Sequence, residues 1–193
     1  MPKLYFIRHA KPAASWGEDP DPGLDATGVD QARRTAAAMM QHASALPILT
    51  SPMRRCRETS QPLEAAWNSA AALFPAVAEI PSPPISLAER HKWLTEAMAG
   101  TWRRLQQTAP PGSPDFLTWR ADMLAAVLRI PEEAVIFSHF IAINAIVGAA
   151  LGSDDVVCFR PDHASITIVD TDGESFRIIE RGREAVTGVL TRG

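Results

Sequence analysis

Cysteine is scarce in this chain of 193 residues, which contains only Cys56 and Cys158. Two cysteines that form no Cys-x-x-Cys pair are too few for a disulfide scaffold or a typical structural zinc site. The chain also lacks an excess of positive charge, because its formal net charge at pH 7 is -3. This balance provides no general attraction to nucleic acid or to anionic membranes. We therefore expect neither of them as a partner, and any basic site must be local.

Long apolar segments are absent as well. No run approaches the roughly 20 residues of a membrane-spanning helix, and residues 1–3 lead into a strand pattern without the features of a signal peptide. Hydrophobic residues make up 46% of the chain and charged residues 21%, proportions that are typical of a globular protein. The length fits one domain with a sizeable core. We expect a single domain over residues 1–193 and a cytoplasmic location, whereas the sequence does not indicate an oligomeric state.

Two short apolar runs, each leading to a histidine, are the first positive signal in the sequence. Residues 4–7 lead into Arg8 and His9, and residues 134–137 lead towards His139. A short run without polar interruptions is typical of a strand that is buried on both faces of a sheet. Ligand sites in α/β sheets lie beyond the carboxyl ends of such strands. The pattern therefore predicts an α/β fold in which two imidazoles and an arginine face an anion.

A junction between a strand and a helix near residue 51 is rich in arginine. Ser51 is predicted as the N-cap, and Pro52 suits the first helical position. Arg54, Arg55 and Arg57 follow within the first turns, where the helix dipole disfavours positive charge. A bound phosphate would reverse this cost, because both helix N-termini and guanidinium groups bind phosphate. The segment therefore predicts an anion-binding site.

The remaining pattern predicts further helices and a hairpin. Helices are expected over residues 31–42, 115–129 and 141–151, the last ended by Gly152. Residues 170–173 have the composition of a hairpin turn between two strands. We interpret residues 74–89 as irregular. The segment that follows contains tryptophans that form either core or a specificity wall: Trp93, Trp102 and Trp119.

Four segments resemble, in order along the chain, the signatures of the histidine phosphatase superfamily, which is also called phosphoglycerate mutase-like. The family signatures are Arg-His-Gly, Ser-Pro-x-x-Arg-Ala-x-Gln/Glu-Thr, a Leu-x-Glu acid and Ser-His-Gly. The matching segments are Arg8-His9-Ala10, residues 51–59, Leu87-Ala88-Glu89 and Ser138-His139-Phe140. Each match is weak alone, but four in the family order form a specific pattern.

The resemblance implies a three-layer αβα sandwich with a mostly parallel sheet. It also implies phosphomonoester hydrolysis through a phosphohistidine intermediate, without a metal or an organic cofactor. The substrate would be a phosphorylated small molecule or a phosphoprotein. Two alternatives stay open, which are phosphoryl transfer of the phosphoglycerate mutase type and a module that binds phosphorylated ligands without catalysis. Strong phosphate affinity with negligible turnover would indicate the latter.

The resemblance also implies roles for five residues. His9 would be the nucleophile, since a neutral imidazole nitrogen can attack phosphorus. Arg8, Arg55 and His139 would hold the phosphoryl group, and Glu89 would be the general acid. Glu79 and Glu96 are the nearest substitutes for this acid. As structural alternatives, His9 is a histidine at a strand end without function, and Glu89 is a surface carboxylate paired with its basic neighbours.

The chain departs from the family in several places. Ala10 and Phe140 stand where glycine is usual, and Phe140 adds bulk close to the site. Residues 11–17 lack the Glu-Ser pair and the Asn of the mutases, which weakens a mutase assignment more than a phosphatase assignment. A metal site built from His9, His139 and His163 would be an alternative, although their spacing fits no metal-binding motif.

Overall fold

The computed structural model describes residues 1–14 and 18–185, which fold around one six-stranded sheet. The strands are β1 (Lys3–Arg8), β2 (Ile48–Thr50), β3 (Ala72–Leu73), β4 (Ala134–Ser138), β5 (Ile166–Thr171) and β6 (Phe176–Glu180). Their order in the sheet is β3-β2-β4-β1-β5-β6. The first four in this order are parallel to one another, and β5 and β6 add an antiparallel edge. The sheet is therefore mostly parallel, as predicted.

Helices cover both faces of the sheet. They are α1 (Ala26–His42), α2 (Arg54–Trp67), α3 (Leu87–Met98), α4 (Trp102–Gln107), α5 (Phe116–Leu128) and α6 (Phe140–Leu151). Successive side chains of a strand point to opposite faces. Accordingly, Leu4 and Phe6 of β1 pack in a cluster with α3 to α6, whereas Tyr5 and Ile7 pack in a cluster with α1 and α2. Both faces of β1 are buried, and this explains its uninterrupted apolar sequence.

Helices α1 and α2 begin at residues that differ from the sequence-based predictions. The N-cap of α1 is Asp25, whose carboxylate accepts a hydrogen bond from the Gly28 amide at 2.7 Å. Ser51 does not cap α2, because the helix starts at Arg54 after the extended residue Met53. The Ser51 hydroxyl instead accepts a hydrogen bond from the Met53 amide at 3.3 Å.

The tryptophans of the middle segment belong to the core. Trp102 is fully buried, and its ring centroid lies 5.9 Å from that of Trp119. Trp93 packs against Phe116 with ring centroids 5.8 Å apart. In the part of the chain that the structure describes, no helix is both long and apolar enough to cross a membrane.

The loop that connects β1 and α1 lies over the carboxyl end of the sheet, and helix α1 holds its first residues. Residues 15–17 of this connection lie outside the described part of the chain. Lys11 forms an ion pair with Asp25 at 2.9 Å. At Gly28, an added Cβ atom would lie 2.1 Å from the Lys11 carbonyl oxygen. Only glycine permits this close approach of α1 to the loop.

We expect Gly28→Ala to destabilise the protein, because the methyl group would push the Lys11 backbone away from α1. Overpacking of this kind costs about 1–3 kcal/mol, which lowers the melting temperature of a protein of this size by roughly 2–12 °C. Gly100→Ala is the matched control, since its Cβ would find no atom closer than 3.7 Å. The melting temperatures of both variants are measured by thermal unfolding, monitored by circular dichroism. Equal melting temperatures would contradict the close approach.

Candidate active site

His9 and His139 meet at the carboxyl ends of two neighbouring parallel strands. The register of β1 and β4 pairs Arg8 with Ser138, so that the residues that follow them are also neighbours. The two imidazole rings lie 5.2 Å apart between centroids, and both are buried. The structure thus brings together the two histidines that the sequence analysis selected.

The geometry of His9 determines which ring nitrogen is free. Its Nδ1 lies 2.9 Å from the carbonyl oxygen of Ala10. A carbonyl only accepts hydrogen bonds, so Nδ1 carries the proton and Nε2 keeps its lone pair. Burial lowers the pKa of His9 well below its ordinary value, and the neighbouring His139, Arg8 and Arg55 lower it further. The ring is therefore a neutral imidazole with Nε2 available as a nucleophile.

His139 is fully buried and contacts Arg55. The Arg55 Nη2 atom donates to Nδ1 of His139 at 3.2 Å, and therefore the proton of the neutral ring is on Nε2. That nitrogen donates to the Ser51 hydroxyl at 2.8 Å. The Cys56 sulfur lies 3.3 Å from the same nitrogen. Burial, and then Arg55 and Arg8, lower the pKa of His139 well below its ordinary value.

The two predicted phosphate-binding arginines both lie at the site. Arg8 donates from Nη1 to the Pro161 carbonyl at 2.9 Å, and its guanidinium lies over the Phe140 ring, 5.0 Å from the centroid. Its buried Nε has no hydrogen-bond partner among the described residues. Arg55 is 5% exposed, and its Nη1 is 3.8 Å from the Asp21 carboxylate. Burial lowers the pKa of Arg8 to about 10, so it stays charged at neutral pH.

Glu79 is a carboxylate at the site, where the sequence pattern offers it only as a substitute for Glu89. It follows β3, after a 3₁₀ turn at Pro75–Val77. Its carboxylate accepts hydrogen bonds from the backbone amides of Ile80 at 3.1 Å and Ile141 at 3.2 Å. Burial raises the pKa of Glu79, while these amides and the two site arginines oppose the shift.

Glu89, which the sequence analysis selected as the acid, lies outside the site. It is exposed and forms the capping box of α3, where its carboxylate accepts hydrogen bonds from the Ser86 amide at 3.0 Å and the Ser86 hydroxyl at 2.6 Å. These bonds to Ser86 lower the pKa of Glu89. The same apolar-x-Glu pattern occurs ten residues earlier, in Val77-Ala78-Glu79. Glu79 follows the parallel strand β3, whereas Glu89 lies in the first turn of α3. This difference in position distinguishes the two glutamates.

A cavity of about 970 Å³ opens over these groups. Its wall includes side chains from several elements: Arg8, His9, Arg55, Glu79, Phe140 and His163. Helix α3 adds Leu94 and Met98 to the wall. His139 does not line the cavity and reaches the site through Arg55. No group of three or more His, Cys, Asp or Glu side chains in residues 1–14 and 18–185 has the arrangement of a metal site.

Comparison with known proteins extends these observations. The profile of the histidine phosphatase superfamily (branch 1) matches residues 4–183. No curated protein matches the chain. Among solved structures, YhfR of Bacillus stearothermophilus is 16% identical, with a TM-score of 0.73 over 96% of this chain and 98% of that one.

Two further solved structures have names that state an activity. Mycobacterial glucosyl-3-phosphoglycerate phosphatase in complex with inorganic phosphate is 19% identical, with a TM-score of 0.71 over 95% of this chain and 98% of that one. Phosphoglycerate mutase from Thermus thermophilus is 22% identical, with a TM-score of 0.68 over 95% of this chain and 99% of that one. At these identities the likeness establishes the fold, which is the predicted phosphoglycerate mutase-like αβα sandwich. Since the family profile spans all four motifs and nearly the whole chain, this protein belongs to the histidine phosphatase superfamily.

Proposed function

We propose that this protein hydrolyses phosphomonoesters through a phosphohistidine formed on His9. One observation carries the proposal: a neutral imidazole with a free Nε2 lies in the same cavity as two arginines. An uncharged nucleophile avoids repulsion from the ester dianion, and the fixed arginines stabilise the charge that spreads over the phosphoryl oxygens in the transition state.

In the first step, Nε2 of His9 forms a bond to phosphorus while the bond from phosphorus to the ester oxygen breaks. Arg8 and Arg55 bind the phosphoryl oxygens. Both guanidinium groups line the same cavity as His9, which supports this role. His139 holds Arg55 in place through its Nδ1.

Glu79 is the general acid in this reaction. Its raised pKa favours the protonated carboxyl group, which transfers its proton to the leaving oxygen. In the second step the Glu79 carboxylate takes a proton from water, the water oxygen bonds to phosphorus, and the bond between phosphorus and His9 breaks. Inorganic phosphate leaves, and His9 is neutral again. The reaction requires no metal or organic cofactor, since arginines supply the positive charge.

The substrate class is a phosphorylated small molecule or a phosphoprotein. The cavity is larger than a phosphate group requires, and Leu94 and Met98 give one side an apolar character. Transfer of the phosphoryl group to an acceptor hydroxyl, as in the mutases, would use the same phosphohistidine. Product analysis distinguishes the two reactions, because hydrolysis yields inorganic phosphate.

His9→Ala should abolish hydrolysis of an aryl phosphate, because no other group in the cavity replaces the Nε2 nucleophile. Trapping with radiolabelled substrate should detect acid-labile, base-stable phosphate on the wild type and none on the variant. His42→Ala is the control, since His42 is exposed at the end of α1. Near-normal turnover by folded His9→Ala would contradict the mechanism. A wild type that binds inorganic phosphate but never turns over would indicate a binding module.

Arg55→Ala should lower the rate of aryl phosphate hydrolysis about 100-fold or more, the usual effect of losing one preorganised donor to a transition-state oxyanion. Arg57→Ala is the matched control, because Arg57 is an exposed arginine of the same helix. For both variants, steady-state kinetics measures the rate of hydrolysis, and inhibition by inorganic phosphate measures phosphate binding. If the two arginines show equal, small losses, Arg55 does not bind the phosphoryl group.

Glu79→Gln should slow substrates with poor leaving groups more than aryl phosphates, because an alkoxide needs a proton as it leaves and nitrophenolate hardly does. Its rates should depend more steeply on leaving-group pKa than those of the wild type. Glu89→Gln is the control and should keep the wild-type dependence, since Glu89 lies outside the cavity. The opposite result for the two variants would return the acid role to Glu89.

A further inference from the structure

His163 is a third imidazole at the site, and the reaction described above gives it no role. It lines the cavity, and its ring centroid lies 5.6 Å from that of His9. Its Nδ1 is 3.3 Å from the backbone carbonyl oxygen of His9. Because a carbonyl only accepts, Nδ1 of His163 is the donor in this contact.

The segment around His163 encloses the end of β1. The Arg8 amide donates to the Ser165 carbonyl at 3.2 Å. The Ala164 amide donates to the Arg8 carbonyl at 3.0 Å and also contacts the His9 carbonyl at 3.4 Å. Ala164 has a φ of 57°, in the left-handed region that residues with a Cβ rarely adopt. The Thr35 hydroxyl donates to the Ala164 carbonyl at 2.7 Å and helps to hold this conformation. The backbone next to His163 is therefore fixed against the nucleophile by several independent bonds.

The contact from His163 acts on the peptide group between His9 and Ala10. The carbonyl of this peptide faces His163, and its amide donates to the Thr59 hydroxyl at 3.0 Å. The peptide is thus held at both ends. It carries Ala10, whose own carbonyl accepts the Nδ1 proton of His9. Movement of this peptide would shift the acceptor that keeps Nε2 of His9 unprotonated.

We propose that His163 is a positioning residue for the His9 nucleophile. Its Nδ1–H holds the His9 carbonyl, and its ring packs beside the His9 ring, so that His9 keeps both the orientation and the tautomer that attack requires. The expected effect on rate rests on the proposed function, whereas the effect on the His9 tautomer does not.

The environment of His163 keeps this donor in one charge state. Burial, and then the nearby Arg8, lower its pKa to about 4, so the ring is neutral throughout the neutral range. Lys11 lowers this pKa slightly further, whereas the bond to the His9 carbonyl and the nearby Asp162 oppose the shift. Nδ1 carries the proton in the neutral ring, and the contact with His9 therefore does not change near neutral pH.

Three substitutions separate the two ring nitrogens of His163. The amide nitrogen of Asn occupies a place similar to Nδ1, and that of Gln a place similar to Nε2. His163→Asn therefore keeps the donor to the His9 carbonyl, His163→Gln keeps only a polar group at the cavity, and His163→Ala keeps neither. His42→Asn is the control for the same substitution at an exposed site.

The effect on rate is measured as the presteady-state rate at which an aryl phosphate forms phosphohistidine on each variant. We expect His163→Ala and His163→Gln to slow it about threefold to tenfold, the worth of one hydrogen bond, with little change in KM. His163→Asn should recover the wild-type rate within about twofold. Recovery by Gln and not by Asn would overturn the proposal, because His163 would then act through Nε2 on the substrate. Wild-type rates in all three variants would overturn it as well.

Nitrogen-15 NMR of the histidine rings provides a readout that needs no turnover. In the wild type and in His163→Asn, the shifts of His9 should indicate a proton on Nδ1. In His163→Ala and His163→Gln, a mixture of tautomers should appear. An unchanged His9 tautomer in these two variants contradicts the positioning role. Wild-type protein that forms no phosphohistidine, but shows the expected tautomer shifts, contradicts the proposed function and leaves the positioning role supported.

Discussion

The parallel pairing of β1 with β4 is the interaction on which the rest of the site depends. This pairing places Arg8 opposite Ser138, and every other group of the site is positioned relative to that register. A shift of one residue would turn each strand residue to the other face of the sheet. Because the side chains of β1 pack alternately into two cores, one on each face, both cores oppose such a shift. The hydrophobic layers thus determine the geometry of the polar site.

Burial gives the site its chemical character. In water at low pH, two histidines and two arginines would be cations that repel one another. They would also be weak hydrogen-bond donors. Inside the protein, desolvation keeps both histidines neutral while Arg8 stays charged. A neutral imidazole therefore lies beside fixed positive charge, a combination that neither residue type provides alone. The opposite effect of desolvation on Glu79 favours its protonated form in the same cavity.

The sequence predicted the parts of this arrangement that depend on strand ends. His9, His139 and Arg55 were located because apolar runs and a helix start place them at one edge of an α/β sheet. Glu79 was expected only as a substitute for Glu89, because β3 has only two residues and its short apolar pattern could not be separated from irregular chain. The preference for Glu89 followed from a local motif that also suits a helix capping box. Likewise, the starts of α1 and α2 depend on local turns that hydrophobic spacing does not encode.

The buried thiol beside His139 distinguishes this site from those of phosphatases with a cysteine nucleophile. Cys56 is fully buried, and desolvation raises the pKa of its thiol, so almost no thiolate exists at physiological pH. Oxidants and alkylating reagents attack the thiolate and need access to it. Burial therefore shields the Cys56 thiol from oxidation and alkylation. Signals that inactivate cysteine-dependent phosphatases by oxidation would leave its proposed histidine chemistry untouched.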